Sequence, residues 1–167
     1  MSLRDKIYSS GALAGRLKRY HGWPTLRTQT VGEHSARVAN IYVEIFGLPR
    51  AEVLYYALNH DAGELFAGDI PFGGKDKVPG LRAAINEAEA EGLKLLSITL
   101  PELTAEETRR VKIADLLEMW EFGHLEELMG NRLAAPITDA TRTSAIVNAK
   151  GDYPLVNIWL NKQEHKL

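Results

Sequence analysis

The sequence predicts an all-α protein, read as one domain over residues 1–167. Three observations carry that reading. Apolar residues recur every three or four positions through most of the chain. Two capping signatures, Thr30 with Glu33 and Thr104 with Glu107, each open such a run. No stretch alternates polar and apolar residues well enough to compete as a strand.

Taken in order, "TVGEHSARVANIYVEIFG" starts at Thr30, carries Val38, Ile41 and Ile45 on one face and stops at Gly47. "RAEVLYYALNHDAGELF" reads as a second helix beginning after Pro49, with Val53, Leu54, Ala57 and Leu58 turned inward and His60 and Asp61 near its end. "GDIPFGGKDKVPG" holds four glycines and two prolines in 13 residues and is a loop. Residues 80–98 return to helix. "PELTAEETRRVKIADLLEMWEF" is a strong helix behind its capping box. After Gly130 the pattern weakens at Pro136, Gly151 and Pro154, leaving "VNIWLNKQ" as a short terminal helix.

Composition excludes several kinds of function. With 45% apolar and 25% charged residues the chain is globular, and 167 residues bury a substantial core. Twenty Lys and Arg against 22 Asp and Glu leave a net charge of −2, so there is no general attraction to nucleic acid or to an anionic membrane. Absence of cysteine removes disulfides, thiolate metal sites and cysteine nucleophiles. No apolar run reaches membrane-spanning length and "MSLRDKIYSS" has no signal core, which leads to the expectation of a cytoplasmic protein.

Chemistry gathers where apolar helix faces are interrupted. His34 lies on the Val38, Ile41 and Ile45 stripe, and Asp115 shares a face with Val111, Met119 and Phe122. His60 and Asp61 close the second helix. Singly, each has an ordinary reading: a hydrogen-bonded core histidine, a carboxylate paired with Lys112 or Arg110, a helix-end aspartate. Together, two imidazoles and two carboxylates make a first shell for one divalent ion. The mixed nitrogen and oxygen set suits Mn, Co, Mg or Fe, with Zn also compatible. Such an ion makes water acidic enough to serve as a nucleophile near neutral pH.

The order His34, then His60–Asp61, then Asp115 resembles the HD-domain metal-dependent phosphohydrolases. The segments "VGEHSARVA", "NHDAGELFAGDIP" and "VKIADLLE" are similar to those of the 5′-deoxynucleotidase, YfbR-like, branch over residues 14–129. The resemblance implies an HD-domain helical bundle with His34, His60, Asp61 and Asp115 as metal ligands and a deoxynucleotide as substrate. It implies that Glu64 is the catalytic carboxylate beside the metal water, that Asp61 is catalytic as well as a ligand, and that Asp69 contacts the sugar. Arg19 and Lys75 match phosphate-contacting cations, and the loop that carries Lys75 also holds Lys77. Tyr20 stands where the branch has tryptophan, so Tyr20 or Trp23 is expected to stack on the base. A homo-oligomer is also implied.

Two activities and one non-catalytic role stay open at this level. The first is a 5′-deoxynucleoside monophosphatase. The second releases triphosphate from deoxynucleoside triphosphates, as in compact phage enzymes of the DatZ type. The third is a non-catalytic nucleotide-binding regulator, which has no need of Glu64 and Asp69 beside intact ligands. His124 and His165 have no partner in this pattern and read as surface residues.

Overall fold

A computed structural model describes residues 11–70 and 73–164. Eight α-helices are present among them: α1 (Gly11–Ala14), α2 (Val31–Phe46), α3 (Ala51–Asn59), α4 (Glu64–Ala67), α5 (Leu81–Leu95), α6 (Ala105–Leu128), α7 (Ala135–Ala149) and α8 (Tyr153–Glu164). The described residues contain no strand, only an isolated bridge between Lys18 and Thr30. The fold is all-α, as the periodicity requires. None of the described helices is long and apolar enough to cross a membrane.

Backbone contacts divide the chain into two units that alternate along the sequence. The first comprises residues 1–35 and 58–100, the second residues 36–57 and 101–167.

In the first unit, Ala14, Ala62 and Leu96 form a small core with Leu65, Leu93 and Ile98. Both partners of the Thr30 capping box are made: the Thr30 amide donates to Glu33 Oε2 (2.7 Å), and the Glu33 amide to Thr30 Oγ1 (3.2 Å). The segment before the cap is pinned by Arg19 N–H to Gln29 O (2.9 Å), Val31 N–H to Leu17 O (2.8 Å) and Gly32 N–H to Gly15 O (3.0 Å).

One expectation fails here. The helix read through Phe66 stops at Asn59; residues 60–63 are turns, and α4 starts afresh at Glu64. The reason is a close approach from α5. A Cβ on Gly63 would lie 2.2 Å from the Glu89 carbonyl oxygen, and one on Gly92 would lie 2.7 Å from the Gly63 oxygen. Two backbones meet there with no room for side chains, and the chain bends to allow it. Leu58, expected inside, is 49% exposed. The described part of 68–80 is a loop apart from a 3₁₀ turn at Gly74–Asp76, and α5 ends at Leu95 rather than at residue 98.

The second unit holds the larger core: Val38, Ile41, Ile45, Val53 and Ala57 with Ile113, Leu116, Leu117 and Trp120 of α6, and Ala145, Ala149, Val156, Trp159 and Leu160 of α7 and α8. α6 opens on the expected capping box at Thr104. α7 is a helix that the sequence pattern does not announce. Pro136 lies in its first turn, where the missing N–H has no partner to lose, so it starts the helix instead of breaking it. α8 is longer than "VNIWLNKQ" at both ends. His124, read as a surface residue, is half-buried and stacks on Trp120 with ring centroids 5.1 Å apart. His165 lies outside the described residues.

A charged network stitches α6 to the start of α8. Asp152 accepts from Arg109 Nη2 (2.6 Å) and from Arg110 Nε and Nη2 (3.0 Å each). The hydrogen bonds from Arg110 lower the Asp152 pKa against the opposing effect of burial. Asp152→Ala leaves two guanidinium groups facing each other and is expected to destabilise the protein by about 2–3 kcal/mol in urea unfolding. Because the folded pKa is depressed, this contribution is present above the ordinary carboxylate pKa and is lost as pH falls below it.

Candidate functional site

Unit one delivers three predicted ligands to one place. His34 sits one turn into α2, fully buried, while His60 and Asp61 occupy the turn between α3 and α4. One donor atom from each of the three lies within 4.8 Å of the others. His34 Nε2 is 3.4 Å from Asp61 Oδ2 and His60 Nε2 is 3.4 Å from Asp61 Oδ1, so the two imidazoles face opposite oxygens of one carboxylate. Burial works against the Asp61 charge, but His60, a hydrogen bond with His34 and the charges of His34 and Arg19 together hold its pKa well below the usual carboxylate range.

Glu64 is the first residue of α4 and is buried at 8% exposure. Its Oε2 accepts no hydrogen bond from the described residues. Burial, followed by the Asp61 and Asp69 carboxylates, pushes its pKa up to about 9, with Arg19 opposing. Glu64 therefore keeps its proton at neutral pH unless more positive charge arrives, and a divalent ion would supply that charge. A continuous helix would have carried Glu64 one turn past His60. The actual link is a turn, capped where the Glu64 N–H meets Asp61 O at 3.0 Å.

Arg19 is buried to 9% exposure, with its guanidinium carbon 5.5 Å from the centre of the Tyr20 ring. Its charge favours the ionised forms of both Asp61 and Glu64. Tyr20 has φ +57°, in the left-handed region. Its N–H is held by Asp69 Oδ2 at 2.8 Å, across 49 residues of chain. Asp69, expected as a sugar contact, holds the strained Tyr20 backbone in this structure. Trp23 donates its N–H to Tyr20 O in a turn (2.9 Å) and is half-buried.

Lys75 ends in an ion pair, Nζ to Glu89 Oε1 at 2.6 Å. Lys77 is exposed. Glu89 is inconspicuous in the sequence because it is one acid among several in "NEAEAEG". Asp115 belongs to the second unit. It is buried on α6 and accepts from Lys112 Nζ at 2.7 Å, the pairing expected of an i, i+3 neighbour.

A buried and a half-buried imidazole around one carboxylate, with a second, buried carboxyl at the start of the next helix, are equipment for hydrolytic chemistry. No curated protein matches the chain. The family model described as "5'-deoxynucleotidase YfbR-like" matches residues 12–133, a span that takes in Arg19, His34, the His60–Asp61 turn, Glu64, Asp69 and Asp115. The match covers most of the chain, and the protein belongs to the YfbR-like 5′-deoxynucleotidase family of HD-domain, metal-dependent hydrolases.

Proposed function

We propose that the chain removes the 5′-phosphate of deoxynucleoside monophosphates at the His34, His60 and Asp61 cluster. The observation that supports this most is the single Asp61 carboxylate between two Nε2 atoms, with the buried Glu64 carboxyl starting the next helix. An all nitrogen-and-oxygen donor set fits Mn, Co, Mg, Fe or Zn. His34, His60 and Asp61 would hold the ion, and the family resemblance implies Asp115 as a further ligand. A divalent ion bound by them supplies Lewis-acid charge for a phosphoryl oxygen and for the attacking water.

The chain's own residues divide the remaining work. Arg19 orients the phosphate through its fork of N–H donors. Glu64 exchanges a proton with water or with the leaving 5′-oxygen. Asp69 holds the Tyr20 backbone and offers its second oxygen to the 3′-hydroxyl of the sugar. Tyr20 and Trp23 supply flat faces for the base. Lys75 stays paired with Glu89 and is not needed for a single phosphate.

A monophosphate needs only the ion and one or two cations, whereas a triphosphate carries about four negative charges and needs more. Of the two main phosphate contacts expected, Lys75 is already paired with Glu89, while the charge of Arg19 is felt at Asp61. Product analysis with dAMP and dATP at matched concentrations tests the reading. Free phosphate from dAMP is expected. Tripolyphosphate from dATP with dAMP untouched overturns it.

A further inference from the structure

Lys75 is bound to α5 through two links. The 3₁₀ turn Gly74–Asp76 that carries it is tied to the first turn of α5 by a two-pronged pair, Arg82 Nε to Asp76 Oδ1 (2.7 Å) and Arg82 Nη2 to Asp76 Oδ2 (2.6 Å). Seven residues further on, two helical turns along the same face, Glu89 takes the Lys75 ammonium at 2.6 Å. Each of these two side chains is only about one-fifth exposed, Lys75 at 22% and Glu89 at 23%. A pair this screened from water interacts more strongly than a surface pair.

The two ends of the pair are not equally free. The Glu89 backbone is jammed against Gly63, so close that a Cβ there would touch its carbonyl oxygen, carbon and Cα. Glu89 is therefore fixed against the residue that precedes Glu64, and its charge is felt at Glu64. Lys75 sits on a short turn flanked by left-handed glycines at 73 and 80, with a long flexible stem. The carboxylate is the anchored end and the ammonium the movable one.

From this arrangement, and resting on the monophosphatase reading, we infer that Glu89 sets how many phosphates the site accepts, by occupying Lys75 as an internal stand-in for a second phosphate. A substrate with one phosphate is served without Lys75. One with a longer phosphate chain must pull Lys75 off Glu89 and leave a fixed carboxylate facing the new anion. Both effects penalise the longer chain, which makes Glu89 a repulsive element for substrate choice.

The test is equilibrium binding of orthophosphate and of inorganic tripolyphosphate to metal-loaded protein by calorimetry at fixed metal excess. Wild type, Glu89→Gln, Lys75→Gln and the double variant are compared, with thermal unfolding to confirm folding and Glu89→Ala as a second replacement. Glu89→Gln is expected to tighten tripolyphosphate about tenfold while moving orthophosphate less than about twofold. In the Lys75→Gln background the same change should have much less effect. Unchanged tripolyphosphate affinity in both Glu89 variants overturns the inference. So does equal tightening with and without Lys75, which would mark a general charge effect. Because the ligands are inorganic and no turnover is needed, this outcome is separate from the dAMP assay. Failure of wild type to release phosphate from dAMP would sink the proposed substrate and leave the binding result intact.

Discussion

Gly63→Ala is expected to be among the most damaging single substitutions in the first unit. The added methyl would meet the Glu89 carbonyl oxygen at 2.2 Å, its carbon at 2.8 Å and its Cα at 2.9 Å. All three are backbone atoms, so no side-chain rotation relieves the clash, and α5 must retreat from the turn that carries His60 and Asp61. A cost of about 3 kcal/mol or more follows, read as a lower urea midpoint. Metal-dependent phosphate release should fall with it, since the two ligands ride on that turn. Gly151→Ala is the control: nothing lies within 4 Å of its added Cβ, and the change should stay within about 0.5 kcal/mol. Equal stability of Gly63→Ala and wild type would show that helix and turn approach less closely than these distances require.

Glu64→Gln keeps shape and removes the proton exchange. Phosphate release should drop on the order of a hundredfold or more, with bound metal retained. Loss of metal in this variant would make Glu64 a ligand instead, and an unchanged rate would remove it from the reaction. A second readout needs no substrate. Burial and the Asp61 and Asp69 charges raise the Glu64 pKa from 4.5 to about 9, so between those values the folded metal-free protein holds a proton that the unfolded chain has released. The contribution of Glu64 to stability is therefore complete below pH about 4.5 and declines as pH rises towards 9. Glu64→Gln should flatten that decline.

What was legible in the sequence was local. Thr30 with Glu33 and Thr104 with Glu107 lie three residues apart, and both boxes form as their spacing predicts. The chemical types in the His34, His60 and Asp61 cluster were legible too, because a histidine or aspartate on an apolar face is conspicuous against its neighbours. What stayed hidden was set from a distance. The break at residues 60–63 answers to a carbonyl on Glu89, while the local apolar spacing runs straight through it. The left-handed turn at Tyr20 answers to Asp69, and no rule of turn composition selects tyrosine for it. The helix at Ala135–Ala149 was hidden because proline at position 136 interrupts a helix or begins one depending on where the first turn falls.

The alternation of the two units along the chain bears on synthesis. A growing chain exposes α2 and α3 long before their partners in the second unit, since Val38, Ile41, Ile45 and Val53 bury against residues from Val111 onward. The first unit is complete once residue 100 has emerged, whereas the second must keep those apolar faces waiting while residues 58–100 are made. Closing that long gap makes the second unit the slower to form. In the interval its unpaired helices are a target for chaperones or for association with other nascent chains. Slowing elongation after residue 57 is therefore expected to lower the soluble fraction of newly made chain, read by comparing soluble and pelleted protein.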